Sequence, residues 1–179
     1  MRRYCWLVPA IIELNAKQQV TRKELAQILE VSQKLARTVL WMLSRLGLVE
    51  KSPRTGEYLV SNSLREIAKT LRTSLVGIRR YRNTTRMVLE HEDMYYIVVI
   101  RRNRIISRRV SKEIVNKVEE LLRRKSMSMD EISKNVSASI REICDSLRVL
   151  EIRGVLKRVK DRGSGKSIYL VGDLQTVSH

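Results

Sequence analysis

The feature that most constrains this chain is a match with itself: shifted by 107 positions, residues 6–51 align with residues 113–158 without a gap. A duplication requires one structural solution to serve both copies, so each assignment is tested twice. Leu7, Ile11 and Leu14 fall on Ile114, Val118 and Leu121, the i, i+4, i+7 spacing of one apolar helix face. Thr21-Arg-Lys-Glu24 falls on Ser128-Met-Asp-Glu131. Both predict capping boxes, in which a hydroxyl and a Glu side chain satisfy free amides at the start of a second, short helix. A third apolar pattern, with Ala36, Leu40 and Leu43 on Ile143, Leu147 and Leu150, stops at Gly47 and Gly154. Glycine adopts the left-handed residue that ends many helices. Leu48-Val49-Glu50-Lys51 then matches Val155-Leu156-Lys157-Arg158, and a polar turn leads to Tyr58-Leu59-Val60 and Tyr169-Leu170-Val171. Each copy is therefore expected to be three helices and a β-hairpin.

Between the copies, residues 62–111 carry twelve basic and four acidic residues, nearly half the net charge of +17. Ser63-x-x-Glu66 predicts another capping box, and Leu64, Ile67, Ala68, Leu71, Leu75 and Ile78 keep helical spacing to about Tyr81. On such a helix Arg65, Arg72, Arg79 and Arg86, seven residues apart and joined by Lys69 and Arg82, form a basic stripe. A stripe of this kind follows a phosphate backbone, or is a solvated face whose apolar side packs on the first copy or a second subunit. "MYYIVVI" and "RIISRRV" predict two strands around the turn "RRNR", with Arg101, Arg102 and Arg104 at the tip. An isolated hairpin is marginal, so this one is expected to pack on something.

The resulting domains are 1–61, a connector 62–111, 112–173 and a tail 174–179. The fold class is mainly α with small β-hairpins (α+β). "VTRKELAQILEVSQKLARTVLWMLSRLGLVEK" resembles the core of prokaryotic winged helix-turn-helix transcriptional regulators, especially archaeal ones. The second copy departs from that pattern, with Asn135 for Ile28 and Glu142 for Leu35. The resemblance covers about three fifths of the chain and implies tandem winged helix-turn-helix domains joined by a basic helix plus β-hairpin.

The resemblance makes the third helix the recognition helix, which lies in a major groove. Subtracting core positions leaves Ser32, Gln33, Lys34, Arg37, Thr38 and Trp41 facing outward. Gln and Arg bond adenine and guanine edges, and Ser, Thr and Lys bond phosphates or bases. The plain alternative is a solvated polar face. Trp41 either joins this face or packs on the wing or a partner. The second copy offers Ser139, Arg141, Cys144, Asp145 and Arg148, with Asp145 and Glu142 opposing phosphate. Its wing is richer: Arg158, Lys160, Arg162 and Lys166 surround Gly163 and Gly165, whereas the first wing has Lys51 and Arg54 offset by Glu57.

A charge of +17 and a pI near 10.5 call for a polyanionic partner, nucleic acid before an anionic membrane. No run reaches the roughly 18 apolar residues of a spanning helix, and no leader pattern opens the chain. A cytoplasmic, nucleoid-associated location is expected. Cys5 and Cys144 have no second Cys or His nearby, so each is expected to be a reduced, packed thiol. His91, in "EHED", lacks metal-ligand spacing, and "GSGKS" fails as a P-loop because Lys160 stands where its first Gly belongs. No cofactor, metal, small-molecule substrate or catalytic arrangement is expected, and so no enzyme.

The functional expectation is a double-stranded DNA-binding protein, a transcriptional regulator using paired domains, with a homodimer through the connector as one arrangement. A replication initiator or architectural DNA-binding protein is one alternative. A tandem winged-helix protein-interaction scaffold is the other.

Overall fold

A computed structural model describes residues 4–160 and 167–171, as helices with antiparallel sheets in an α+β arrangement. The chain divides into two compact units: Met1–Leu89 with Val98–Ser107, and Glu90–Ile97 with Arg108–His179.

In the first unit a 3-10 turn, Cys5–Leu7, leads into α1 (Val8–Leu14), with Pro9 in the first turn, where a missing N–H is harmless. Then come β1 (Gln19–Val20), α2 (Arg22–Ile28), α3 (Gln33–Arg45), β2 (Val49–Lys51), β3 (Tyr58–Val60), α4 (Asn62–Thr73) and β4 (Leu75–Tyr81). Next, β5 (Thr84–His91), β6 (Met94–Arg101) and β7 (Arg104–Ser111) contribute residues to both units, in a sheet ordered β4-β5-β6-β7. Leu7, Leu14, Leu25, Leu40 and Leu43 are fully buried, so these repeat positions form a core, which Leu64 of the connector joins.

The predicted start of α2 and the predicted stop of α3 are present, and α3 has an unpredicted cap. Thr21 and Glu24 form the capping box, and Ser32 caps α3 by accepting from the Leu35 amide. The α3 end is a left-handed stop: Gly47 has φ +69°, its amide donates to the Ser44 carbonyl, and the Leu48 amide donates to the Leu43 carbonyl. The α2 end uses the same bonds, Glu30 to Gln27 and Val31 to Ala26, but with Glu30 in the left-handed position at φ +55°.

The second unit repeats the plan in α5 (Lys112–Arg124), β8 (Met127–Ser128), α6 (Met129–Asn135), α7 (Ile140–Ile152), β9 (Leu156–Lys160) and β10 (Ser167–Val171). Ser128 and Glu131 form the expected capping box, and Gly154 ends α7 at φ +77°. In each unit the hairpin gains a short third strand, giving orders β1-β3-β2 and β8-β10-β9.

Its interior differs in polarity. Glu119 occupies the repeat position of Ile12, and both are buried. Glu119 accepts from Arg123 at 2.6 Å and from Arg153 at 2.9 Å, and Arg153 stands at the repeat position of Leu46.

Three expectations for the connector are corrected. The helix ends at Thr73, not near Tyr81, and residues 75–81 are β4. β-branched Val76 and Ile78 flank Gly77, a poor helical run that pairs readily with β5. The cap of α4 is Ser61, whose hydroxyl accepts from the Leu64 amide, so Ser63 lies inside the helix and the Ser63–Glu66 box does not form. Finally, the four arginines share no helix face: Arg65 and Arg72 are on α4, while Arg79 and Arg86 stand opposite each other on β4 and β5. The predicted β6–β7 hairpin is present, with β4 and β5 as its unpredicted companions.

Candidate functional site

The sequence of α3 buries Ala36, Val39, Leu40 and Leu43 on one side, which leaves Gln33, Lys34, Arg37, Thr38 and Trp41 exposed on the other. From Lys34 to Arg45 this face runs about 16 Å at 1.5 Å per residue. No acidic residue occurs in α3, and neither Lys34 nor Arg37 has an ion-pair partner among the described residues. Thr38 donates to the Lys34 carbonyl at 3.2 Å. Ser32 caps the helix, its hydroxyl accepting from the Leu35 amide at 3.4 Å, which leaves its own proton to donate.

Trp41 is half exposed, with the Arg45 guanidinium 5.0 Å from its ring centre. One turn apart on the same helix, the two form a cation–π pair that holds a further positive charge on this face. Arg45 was missed because it falls in the last turn, where a basic residue is already explained by the helix dipole.

A main-chain bond fixes what lies beside α3. The Ser32 amide donates to the Arg102 carbonyl at 2.6 Å, which ties the β6–β7 turn to the start of the helix. Lys51 and Arg54 are exposed in and after β2.

The connector residues scatter. Arg65 is half-buried, donates to the Lys17 carbonyl at 3.5 Å and has a buried Nε without a partner, so it serves packing. Lys69 pairs with Glu66 at 2.8 Å, and Arg72 is exposed. The guanidinium of Arg79 lies 5.9 Å from the Tyr81 ring centre, and that of Arg86 lies 4.7 Å from it.

The second unit corrects the reading of α7. Ser139 and Glu142 form a capping box: the Ser139 amide and hydroxyl donate to the Glu142 carboxylate at 2.9 and 2.6 Å. Those bonds hold the Glu142 carboxyl below its ordinary range, so it caps the helix start while staying ionised, and its negative charge there still opposes a phosphate. Asp145 is buried, not outward: it pairs with Arg148 on α7 and, at 3.4 Å, with Arg108. Arg148 thereby shares one carboxylate with Arg108, a cluster that keeps a net positive charge, whereas Arg141 is exposed with no ion-pair partner among the described residues. The equivalent of Asp145 in the first copy is exposed Thr38; Arg108, outside the repeat, makes the difference.

Arg158 donates to the Ser167 hydroxyl at 2.9 and 2.7 Å and sits 6.0 Å from the Tyr169 ring, so it braces the hairpin. Arg162, Lys166 and the side chain of Lys160 lie outside the described residues. Both cysteines are free, and burial pushes the Cys5 thiol up. Among the described residues no helix is long and apolar enough to cross a membrane, and no group of three or more His, Cys, Asp or Glu is placed to hold a metal ion.

No family model and no curated protein matches the chain. Among solved structures it is similar to the Rio2 kinase-ADP/Mg2+-phosphoaspartate complex from Chaetomium thermophilum. Sequence identity is 13%, the match covers 94% of this chain and 71% of that one, and the TM-score is 0.29. That protein is a kinase, so the comparisons do not bear out the expectation of a transcriptional regulator, nor the expectation that the chain is no enzyme. A TM-score of 0.29 transfers neither fold nor phosphoryl chemistry to this chain, and no kinase assignment is drawn from it.

Proposed function

We propose that each repeat is a winged helix and that the first one grips the phosphates of a nucleic-acid duplex through α3. One observation carries this reading: a 13-residue helix with one face fully buried presents Lys34 and Arg37, unpaired among the described residues, and holds no acidic residue to repel a polyanion. Gln33 and Thr38 add hydrogen-bonding groups beside them. In the second repeat the charges of α7 are largely used internally, by the Ser139 box and by Asp145. The first repeat is therefore the main contact.

The test is fluorescence anisotropy of the full chain with labelled duplex DNA and duplex RNA across a salt series. Each phosphate contact adds about 0.9 to the slope of log affinity against log salt for B-form DNA. Lys34→Ala with Arg37→Ala is expected to weaken binding at least tenfold and to reduce that slope by about 1.8. Unchanged affinity and slope would show that α3 does not touch the duplex.

A further inference from the structure

We propose that the first unit holds a second anion site, a cleft beside α3 that takes a ligand bearing two or more phosphoryl groups. The cleft has a volume of about 680 Å³, within the range of small-molecule sites. Four cations line it from three separate places: Lys23 on α2, Arg82 in the β4–β5 turn, and Arg101 and Arg102 at the β6–β7 turn. None of the four has a carboxylate partner among the described residues, although Arg108, Arg123, Arg148 and Arg153 all do. Glu30 is the one acidic group in the lining.

A compact cleft of that volume is about 11 Å across, close to the Debye length of about 8 Å at physiological salt. The four charges therefore raise one another's energy when the cleft is empty, and an anion relieves that repulsion. Buried Ala26, Leu29 and Ile100 form part of the wall, which keeps water from one side of the ligand and strengthens its charge contacts. Asn83 and Gln27 add neutral donors, so the lining combines charge with hydrogen bonds suited to phosphoryl oxygens.

The positions of the arginines are fixed by the backbone. The two turns repeat the dipeptide Arg-Asn, at 82–83 and 102–103, and the second is bonded through the Arg102 carbonyl to the Ser32 amide. The shared ligand chemistry has two sources: a free polyphosphate such as a nucleoside diphosphate, or successive phosphates of a nucleic-acid strand. In the second case the inference rests on, and deepens, the duplex reading; in the first it stands alone.

The test compares the full chain with R82Q/R101Q/R102Q, which keeps the Arg102 carbonyl, and with the charge-preserving R82K/R101K/R102K. Titration calorimetry uses inorganic pyrophosphate and ADP without metal; anisotropy uses the duplexes above. Saturable pyrophosphate or ADP binding, weakened at least about tenfold in the Gln variant and retained in the Lys variant, identifies a free ligand. No free-anion binding, but a duplex salt slope reduced by about 0.9 or more in the Gln variant, identifies a strand phosphate. Neither effect, with an unchanged melting temperature, overturns the site. If α3 variants weaken duplex binding while the Gln variant does not and free anions fail to bind, this inference fails alone. If pyrophosphate binds and no duplex does, the duplex reading fails alone.

Discussion

The two copies control each other, and the Glu119–Arg153 pair shows how. The first copy places Ile12 and Leu46 where the second places Glu119 and Arg153. Breaking a buried ion pair by removing one partner typically costs about 3–5 kcal/mol, whereas exchanging both partners for apolar residues is often neutral or stabilising. Here the side chains of Arg153 and Arg123 keep 30% and 55% exposure against 11% for Glu119, so a stranded arginine regains water and the single costs shrink. Arg153→Leu removes the bond at 2.9 Å but leaves Arg123 on the carboxylate at 2.6 Å; Glu119→Ile removes both.

Each single variant is expected to lose about 1–2 kcal/mol. The double variant E119I/R153L is expected within about 1 kcal/mol of the parent, because it leaves no Arg153 guanidinium beside an apolar side chain and replaces both partners by apolar groups whose burial offsets about 1.5–3 kcal/mol. The coupling between the two sites is then about 2–4 kcal/mol. Urea unfolding of the full chain gives the totals, and amide exchange in α5 and α7 assigns them to the second unit. A coupling below about 0.5 kcal/mol would mean that the ion pair is incidental and would refute this account.

Two further outcomes follow from the caps. Glu24, Glu131 and Glu142 have carboxyls held below the ordinary 4.5 by the hydrogen bonds of their capping boxes. Their contribution to stability is fully present above that value and is lost as pH falls through the depressed folded values. Replacing all three by Gln is expected to lower the melting temperature at neutral pH and to flatten its acid decline; an acid limb of unchanged steepness would contradict this. At Gly47 an added Cβ meets nothing within 4 Å, so Gly47→Ala isolates the left-handed backbone penalty at φ +69°. It is expected to cost about 1–2 kcal/mol in urea unfolding, and Glu30→Gly to gain in the opposite sense; a neutral Gly47→Ala would remove strain as the reason for that glycine.

Most of what was legible in the sequence was what the repeat printed twice; the β6–β7 hairpin, outside the repeat, was legible from its own strands and turn. The three helices, two capping boxes, both glycine stops and both hairpins were visible because each copy supplied an independent period. The strands β1 and β8 were not, because two residues carry no period. The stretch Leu75–Ile78 misled because two apolar residues three apart fit a helix as well as they fit one face of a bent strand, and here β4 has a register shift between Leu75 and Gly77. Asp145 misled because burial of a carboxylate depends on cations brought from elsewhere, and Arg108 lies 37 positions away. The cleft beside α3 was invisible for the same reason: α2 and two distant turns meet only through folding.

The Arg108–Asp145 pair also fixes where the second repeat can be cut. The duplicated sequence begins at residue 113, and a boundary at 112 looks natural on that ground. Such a fragment would carry a carboxylate buried to 2% exposure with one of its two cations left behind. A piece of this half that keeps both contacts of the buried carboxylate therefore starts upstream of Arg108, within β7; a shuffled or transplanted repeat that leaves that strand behind keeps the Asp145–Arg148 pair but loses the second guanidinium that helps offset the cost of burying Asp145.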